Sequence, residues 1–207
     1  MGRRPGTTAG TFTCNTDGHV LGTDRLLLRT LRPDDLDEVI ATVDRVVLRW
    51  QGFPSEPDAL REFFRLKIDP GLQVHPKYNE HFLISERSSG KIMGLRSLYS
   101  NPRRNGTLAT GSWLGEGWRG RGFGSEELRV IVAYAVEHQH ATRMIAGTEN
   151  TNERALRQYR SAGFRLASRT KEHALPDGRT VPAVWLARSF RRSRKAAICA
   201  LGQPSLP

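Results

Sequence analysis

Residues Trp118 to Leu128 read WRGRGFGSEEL, with glycines at alternate positions, Gly120, Gly122 and Gly124, and Arg119 and Arg121 set among them. Such a stretch suits a polyphosphate. Glycine lets the chain bend where a β-carbon would clash and lets backbone N–H groups approach a ligand closely. Directly behind it Leu128, Ile131, Val132, Ala135 and Val136 recur at helical spacing, Glu126 and Glu127 fall in the first turn, and His138 and His140 lie near the end. The spacing predicts a helix with one buried face. Its first-turn N–H groups, Ser125 among them, and its dipole favour anionic oxygens, and the arginines add positive charge. A P-loop is excluded, because Gly124 is followed by Ser125 and Glu126 and no lysine stands nearby. A dinucleotide fingerprint would want an acidic residue about 20 positions on, where this chain has His140, Ala141 and Thr142.

The stretch resembles the acetyl-CoA site of the GNAT family of N-acetyltransferases. Their signature is Arg or Gln, two residues, Gly, one residue, then Gly or Ala, and Arg119, Gly120, Arg121, Gly122, Phe123, Gly124 fits it. Downstream, Asn152, Ala155, Tyr159, Gly163 and Phe164 are similar to the family's second motif, and the opening DRLLLRTLRPDDLDEV resembles the branch that acetylates ribosomal proteins. The resemblance covers about Arg25 to Arg188. It implies an α/β acyl-CoA N-acyltransferase fold, a mixed, mostly antiparallel sheet flanked by helices, with acetyl-CoA as co-substrate.

At 207 residues and 38% hydrophobic content the chain can bury one full core, read as a domain at 23–188. Residues 1–22, rich in Gly, Thr and Asp, read as disordered or loosely attached. The start carries arginines but no apolar h-region, and no apolar run approaches the roughly 18 residues of a membrane span, so a cytoplasmic protein without membrane contact is expected. Cys14 and Cys199 fall in the two end segments, and neither a disulfide nor a metal is expected. The formal net charge is +11. Arg188, Arg191, Arg192, Arg194 and Lys195 crowd the start of a basic tail at 189–207, which reads either as a contact for RNA or the ribosome or as a solvated terminus.

In order, the pattern predicts a strand over 25–31, one helix from Asp34 to about Leu48, and a second helix over 56–67. A hairpin follows, with strands over 81–86 and 91–99, and then a strand over 107–114. Beyond the glycine loop and its helix come a strand over 143–148, a helix over 152–162 that Gly163 ends, and a closing hairpin of strands 165–171 and 181–188. The resemblance implies that the 107–114 strand diverges from its neighbour to hold the pantetheine arm, with Trp113 and Leu114 facing the cofactor.

Amide formation needs a neutral amine, a polarised carbonyl and a proton for the departing thiolate. The resemblance assigns that proton to Tyr159, and it makes Asn152 either a cofactor contact or a helix cap. A glutamate that relatives carry before the phosphate loop is missing, since Thr107 to Trp113 contains no acid. Glu149 is then the first candidate base, with Glu116 and His81 behind it and a water chain as the alternative. The ribosomal branch often has Ser where Ala155 stands and Glu near Ala167 and Ser168, so a ribosomal substrate is not implied. The acceptor is expected to be a primary amine of a small molecule or a protein N-terminus. Glu56, Asp58, Glu62 and Glu80 could line an entry for a polycation, and Trp50, Phe53, Phe63 and Phe64 could supply apolar walls. Other readings keep the fold with another acyl-CoA or an aminoacyl-tRNA donor, or leave a non-catalytic CoA- or RNA-binding module. The chain is expected to act as a monomer or homodimer.

Overall fold

The apolar pattern of the strands and the helix behind the glycine loop builds one sheet with a core on each face. A computed structural model describes residues 11–15, 18–68, 79–100 and 106–191. The strands are β1 Thr11–Asn15, β2 Gly18–Gly22, β3 Leu26–Thr30, β4 Asn79–Glu86, β5 Ile92–Ser100, β6 Thr107–Leu114, β7 Arg143–Glu149, β8 Arg165–Ala174 and β9 Thr180–Ser189. They form one sheet in the order β1-β2-β3-β4-β5-β6-β7-β9-β8. Every pairing is antiparallel except that of β6 with β7. The helices are α1 Leu36–Ala41, α2 Arg45–Gln51, α3 Pro57–Ile68, α4 Phe123–Glu137 and α5 Glu153–Ser161.

Strand alternation sends one set of side chains to each face. Leu28, Phe82, Ile84, Leu98, Leu108 and Met144 pack with Leu128, Ile131 and Ala135 of α4 and Leu156 of α5. On the other face Leu83, Leu95 and Trp113 meet Val39, Val47, Phe53, Leu60 and Phe64 from the α1–α3 layer. Among the described residues no helix is long and apolar enough to cross a membrane.

Two sequence expectations need correction. The sheet starts before Asp24, because β1 and β2 form a hairpin that adds to β3, and Leu21 is fully buried in the main core. Segment 1–22 is therefore not loosely attached throughout. Its apolar residues are few, and pairing with a neighbouring strand, which local composition does not reveal, orders them. The single helix expected over 34–48 is broken into a 3₁₀ turn at Pro33–Asp35, α1 and α2. Asp44 causes the break: its carboxylate accepts from the N–H groups of Val46 and Val47 at 2.8 and 3.1 Å and so starts a new helix. The basic residues Arg192, Arg194 and Lys195, and Cys199, lie outside the described residues.

Candidate active site

Gly120 and Gly122 have φ of 79° and 84°, the left-handed region, and Gly122 is the residue from which α4 starts. The chain thereby turns its N–H groups outward. Among the described residues, no acceptor within the protein serves the five consecutive N–H groups from Gly120 to Gly124, while Ser125 and Glu126 bond back to the Gly122 carbonyl at 3.2 Å. This concave run at the start of a 15-residue helix is an anion cradle.

Side chains from other elements pin the cradle. Glu126 accepts from Arg25 at 2.5 and 2.8 Å and from the Thr23 hydroxyl at 2.5 Å, and Arg25 also donates to the Arg121 carbonyl at 3.2 Å while lying over the Phe123 ring. Phe123 is itself buried. Arg119 is bound through both terminal nitrogens to Asp44, at 2.5 and 3.2 Å. Arg121 is exposed, stacks on Trp118 and Phe123, and has no carboxylate partner among the described residues. Of the two arginines it is the one whose charge is uncommitted. Gly124 lies against α5, where the Gln158 amide donates to its carbonyl at 2.6 Å.

Beside the cradle the sheet opens. β6 and β7 pair only from Thr107 to Ala109 against Arg143 to Ile145, although β6 runs on to Leu114 and β7 to Glu149. Their outer edges stay fully paired with β5 and β9. Beyond Ala109 the facing edges therefore lack strand partners, and apart from the Ser112 carbonyl, which Gln51 takes, they offer backbone groups that suit a ligand carrying amides. Trp113 and Leu114 bring main-chain groups to this gap, and their side chains go to opposite faces of the sheet, Trp113 to the cavity wall. Leu114 is in the main core, and the Trp113 indole joins Phe53 and Phe64 and donates to the Thr42 hydroxyl at 3.0 Å.

The gap widens into a cavity of about 210 Å³ on the α1–α3 face, between Phe53, Phe64 and Trp113 on one side and Gly147 and Trp185 on the other. Gly147 is needed there, since a β-carbon would meet the Trp185 ring at 2.8 Å. Gln51 reaches in from α2 and donates to the Ser112 carbonyl at 3.0 Å. Buried His81 places Nδ1 2.8 Å from the Ser97 hydroxyl at the cavity wall, and burial together with the Lys67 charge pushes its pKa down to about 4.

Tyr159 projects into the core from α5, 5% exposed and 5.4 Å from the Phe164 ring. Burial raises its pKa, and the Arg96 guanidinium, hydrogen-bonded to the phenol oxygen, opposes that. Arg96 and Glu127 form a fully buried, two-pronged ion pair between β5 and α4. Thr110 accepts from Arg96 at 3.0 Å and Ser112 donates to Glu127 at 3.1 Å, so the network runs from Tyr159 to the opened stretch of β6. Sequence reading missed this pair. The signal was present, for Arg96 interrupts an apolar strand and Glu127 lies on the apolar stripe of α4, one turn from Phe123 and one from Ile131.

Asn152 caps α5, its amide oxygen accepting from the Ala155 N–H at 3.2 Å. Glu149 does not stand ready to take a proton. Arg49 binds both its oxygens at 2.6 and 2.9 Å, Thr151 adds a hydrogen bond at 2.9 Å, and Arg49 holds its pKa below the ordinary value. Its carboxylate is committed to tying α2 to the end of β7. Glu116 is exposed in a 3₁₀ turn before the loop.

Residues 25–165 match a family model described as an acetyltransferase (GNAT) domain. Solved structures share the fold. The ribosomal-protein-S5-alanine acetyltransferase from Vibrio fischeri superposes with a TM-score of 0.70 at 14% identity, covering 82% of this chain and 96% of that one. An acetyltransferase from Salmonella typhimurium that modifies the N-terminal serine of ribosomal protein L7/L12 gives 0.70 at 18% identity, over 82% and 97%. A ribosomal L7/L12 alpha-N-protein acetyltransferase in complex with coenzyme A gives 0.69 at 19% identity, over 81% and 96%. No curated protein matches the sequence.

Proposed function

The chain belongs to the GNAT acetyltransferase family, and from that premise we propose that it binds acetyl-CoA on the Gly120–Gly124 cradle and acetylates a primary amine held in the cavity between Trp113 and Trp185. The observation that carries this reading is the run of five N–H groups without protein acceptors, set beside a strand pair that opens after Ala109. The cradle fits a pyrophosphate, with Arg121 adding charge, and the free edge of β6 from Thr110 to Leu114 fits the amides of the pantetheine arm. Acetyl-CoA supplies an activated acetyl thioester. Arg119 stays with Asp44 and fixes the loop against α2.

Tyr159 is the proton donor in this reading. Its phenol is kept protonated by burial, and Arg96 favours the phenolate left when the proton moves to sulfur. Asn152 supports Tyr159 by capping the helix that carries it. The similar Salmonella enzyme modifies a protein's N-terminal serine and the similar Vibrio fischeri enzyme is a ribosomal-protein-S5-alanine acetyltransferase, which keeps protein N-termini within the proposal beside small amines.

Gly122→Glu tests the cradle. It forces an L residue into φ of 84° and sets a carboxylate where phosphate is to sit. Coenzyme A affinity should fall by more than about 100-fold in protein that keeps its circular dichroism, a loss of roughly 2.7 kcal/mol; unchanged affinity would remove the loop from the site. Tyr159→Phe should lower kcat by about 10- to 100-fold at nearly constant coenzyme A affinity, and an equal rate would hand the proton to another donor.

A further inference from the structure

Gly124 lies in α4 with ordinary helical backbone, unlike Gly120 and Gly122, whose φ values are positive. What excludes a side chain there is α5: a β-carbon on Gly124 would stand 3.3 Å from the Gln158 amide nitrogen, and Gln158 would have to give way. The close approach serves a hydrogen bond. Half-buried Gln158 donates to the Gly124 carbonyl at 2.6 Å, and the same nitrogen lies 3.4 Å from Glu127 Oε1, one turn further along α4. One amide thereby holds α5 to the first turn of α4, the turn that also presents N–H groups of the cradle.

The next residue on α5 is Tyr159. Consecutive helical side chains point about 100° apart, yet both of these end on the same buried pair: Gln158 reaches the carboxylate of Glu127, and the Arg96 guanidinium is bonded to the Tyr159 phenol. The helix is therefore gripped at two points around its circumference. Turning α5 about its axis would break that grip, so the pair fixes the direction in which the phenol points. Thr110 and Ser112 of β6 hold the pair from the strand side, and the element left to adjust is α5.

We propose that Gln158 is a positioning residue: it couples occupancy of the cradle to the setting of Tyr159, so that donor binding orders the acid that serves the thiolate. The proposal rests on the acetyltransferase reading above. Gly124 carries the coupling, because its N–H is one of the five offered to the pyrophosphate while its carbonyl is taken by Gln158. A ligand on the N–H side fixes and polarises peptides whose other side is held by α5, and hydrogen bonds in such a chain strengthen one another. Gln158 acts through Tyr159 and the Arg96–Glu127 pair rather than on the thioester.

The test is hydrogen exchange, read by mass spectrometry on the full chain with and without saturating coenzyme A. Its readout is the ratio of free to bound exchange rates across α5, because a merely structural role for Gln158 would speed exchange in both states and leave that ratio unchanged. In the wild type, coenzyme A should slow exchange in the cradle and, by about three- to tenfold, in α5. Gln158→Met removes the amide at nearly constant length, and Gln158→Asn keeps the amide but is one methylene too short to reach. In both variants the α5 ratio should fall to near one while the cradle stays protected. Coenzyme A affinity should change by less than about threefold, as loss of one neutral hydrogen bond outside the ligand contacts allows. If one variant fails to fold, the other carries the comparison. An α5 ratio near one in the wild type overturns the proposal, and so does a wild-type ratio kept by a folded variant. Failure of the wild type to bind coenzyme A, read in a separate titration, would instead sink the parent reading.

Discussion

Arg96 and Glu127 have fully buried side chains beside the apolar residues of the main core. Removing two charges from water costs several kcal/mol, which mutual attraction offsets only with good geometry and further hydrogen bonds. Thr110, Ser112, Gln158 and Tyr159 supply those bonds. Arg96→Met, which strands the carboxylate, should therefore lower stability by about 3–5 kcal/mol, and Arg96→Met with Glu127→Leu should recover most of it. Urea midpoints of the three proteins check this, and a double variant no more stable than the single one would show that the pair holds the fold by more than charge balance. At this scale the glycines were legible because φ near 80° excludes other residues. Trp113 lines the cavity as well as the α1–α3 core while Leu114 turns into the main core, a division that a sequence does not tell for a splayed strand.

Between elements, the Arg49–Glu149 pair straps α2 across the end of β7. The Arg49 side chain is 47% exposed, so the strap contributes under about 1 kcal/mol to stability. Its effect belongs to the acceptor side of the site, where α2 also carries Gln51. Glu149→Gln should raise the amine KM by about three- to tenfold and leave acetyl-CoA affinity unchanged, as one weakened ion pair implies. The pH dependence has a definite sign. Because Arg49 holds the Glu149 pKa below its unfolded value, the strap is fully present above about pH 4.3 and is lost as pH falls through the lower folded value. An acid rise in amine KM that is seen in the wild type and absent from Glu149→Gln checks it; a parallel rise in both would assign the effect elsewhere. The strap was not legible, because its partners are 100 positions apart. For the same reason β1 and β2 escaped notice, while the break in the long helix was written in Asp44 and overlooked.

For the molecule as a whole, the order of strands and helices from β3 to β9 was legible from alternation, helical spacing and turn residues. The parallel β6–β7 pair and its opening come from what lies between those strands, the glycine loop and α4, whose motif was the most explicit signal in the chain. The cavity draws on α2, α3, β5, β6, β7, β8 and β9, and so no local stretch could disclose its lining. Whether the chain binds acetyl-CoA is read most directly by calorimetric titration of the full chain with acetyl-CoA, with adenosine 3′,5′-bisphosphate as the control. Saturable binding at one site per chain is expected, tighter for acetyl-CoA than for the bisphosphate and abolished by Gly122→Glu. A folded protein that takes up no acetyl-CoA would contradict it.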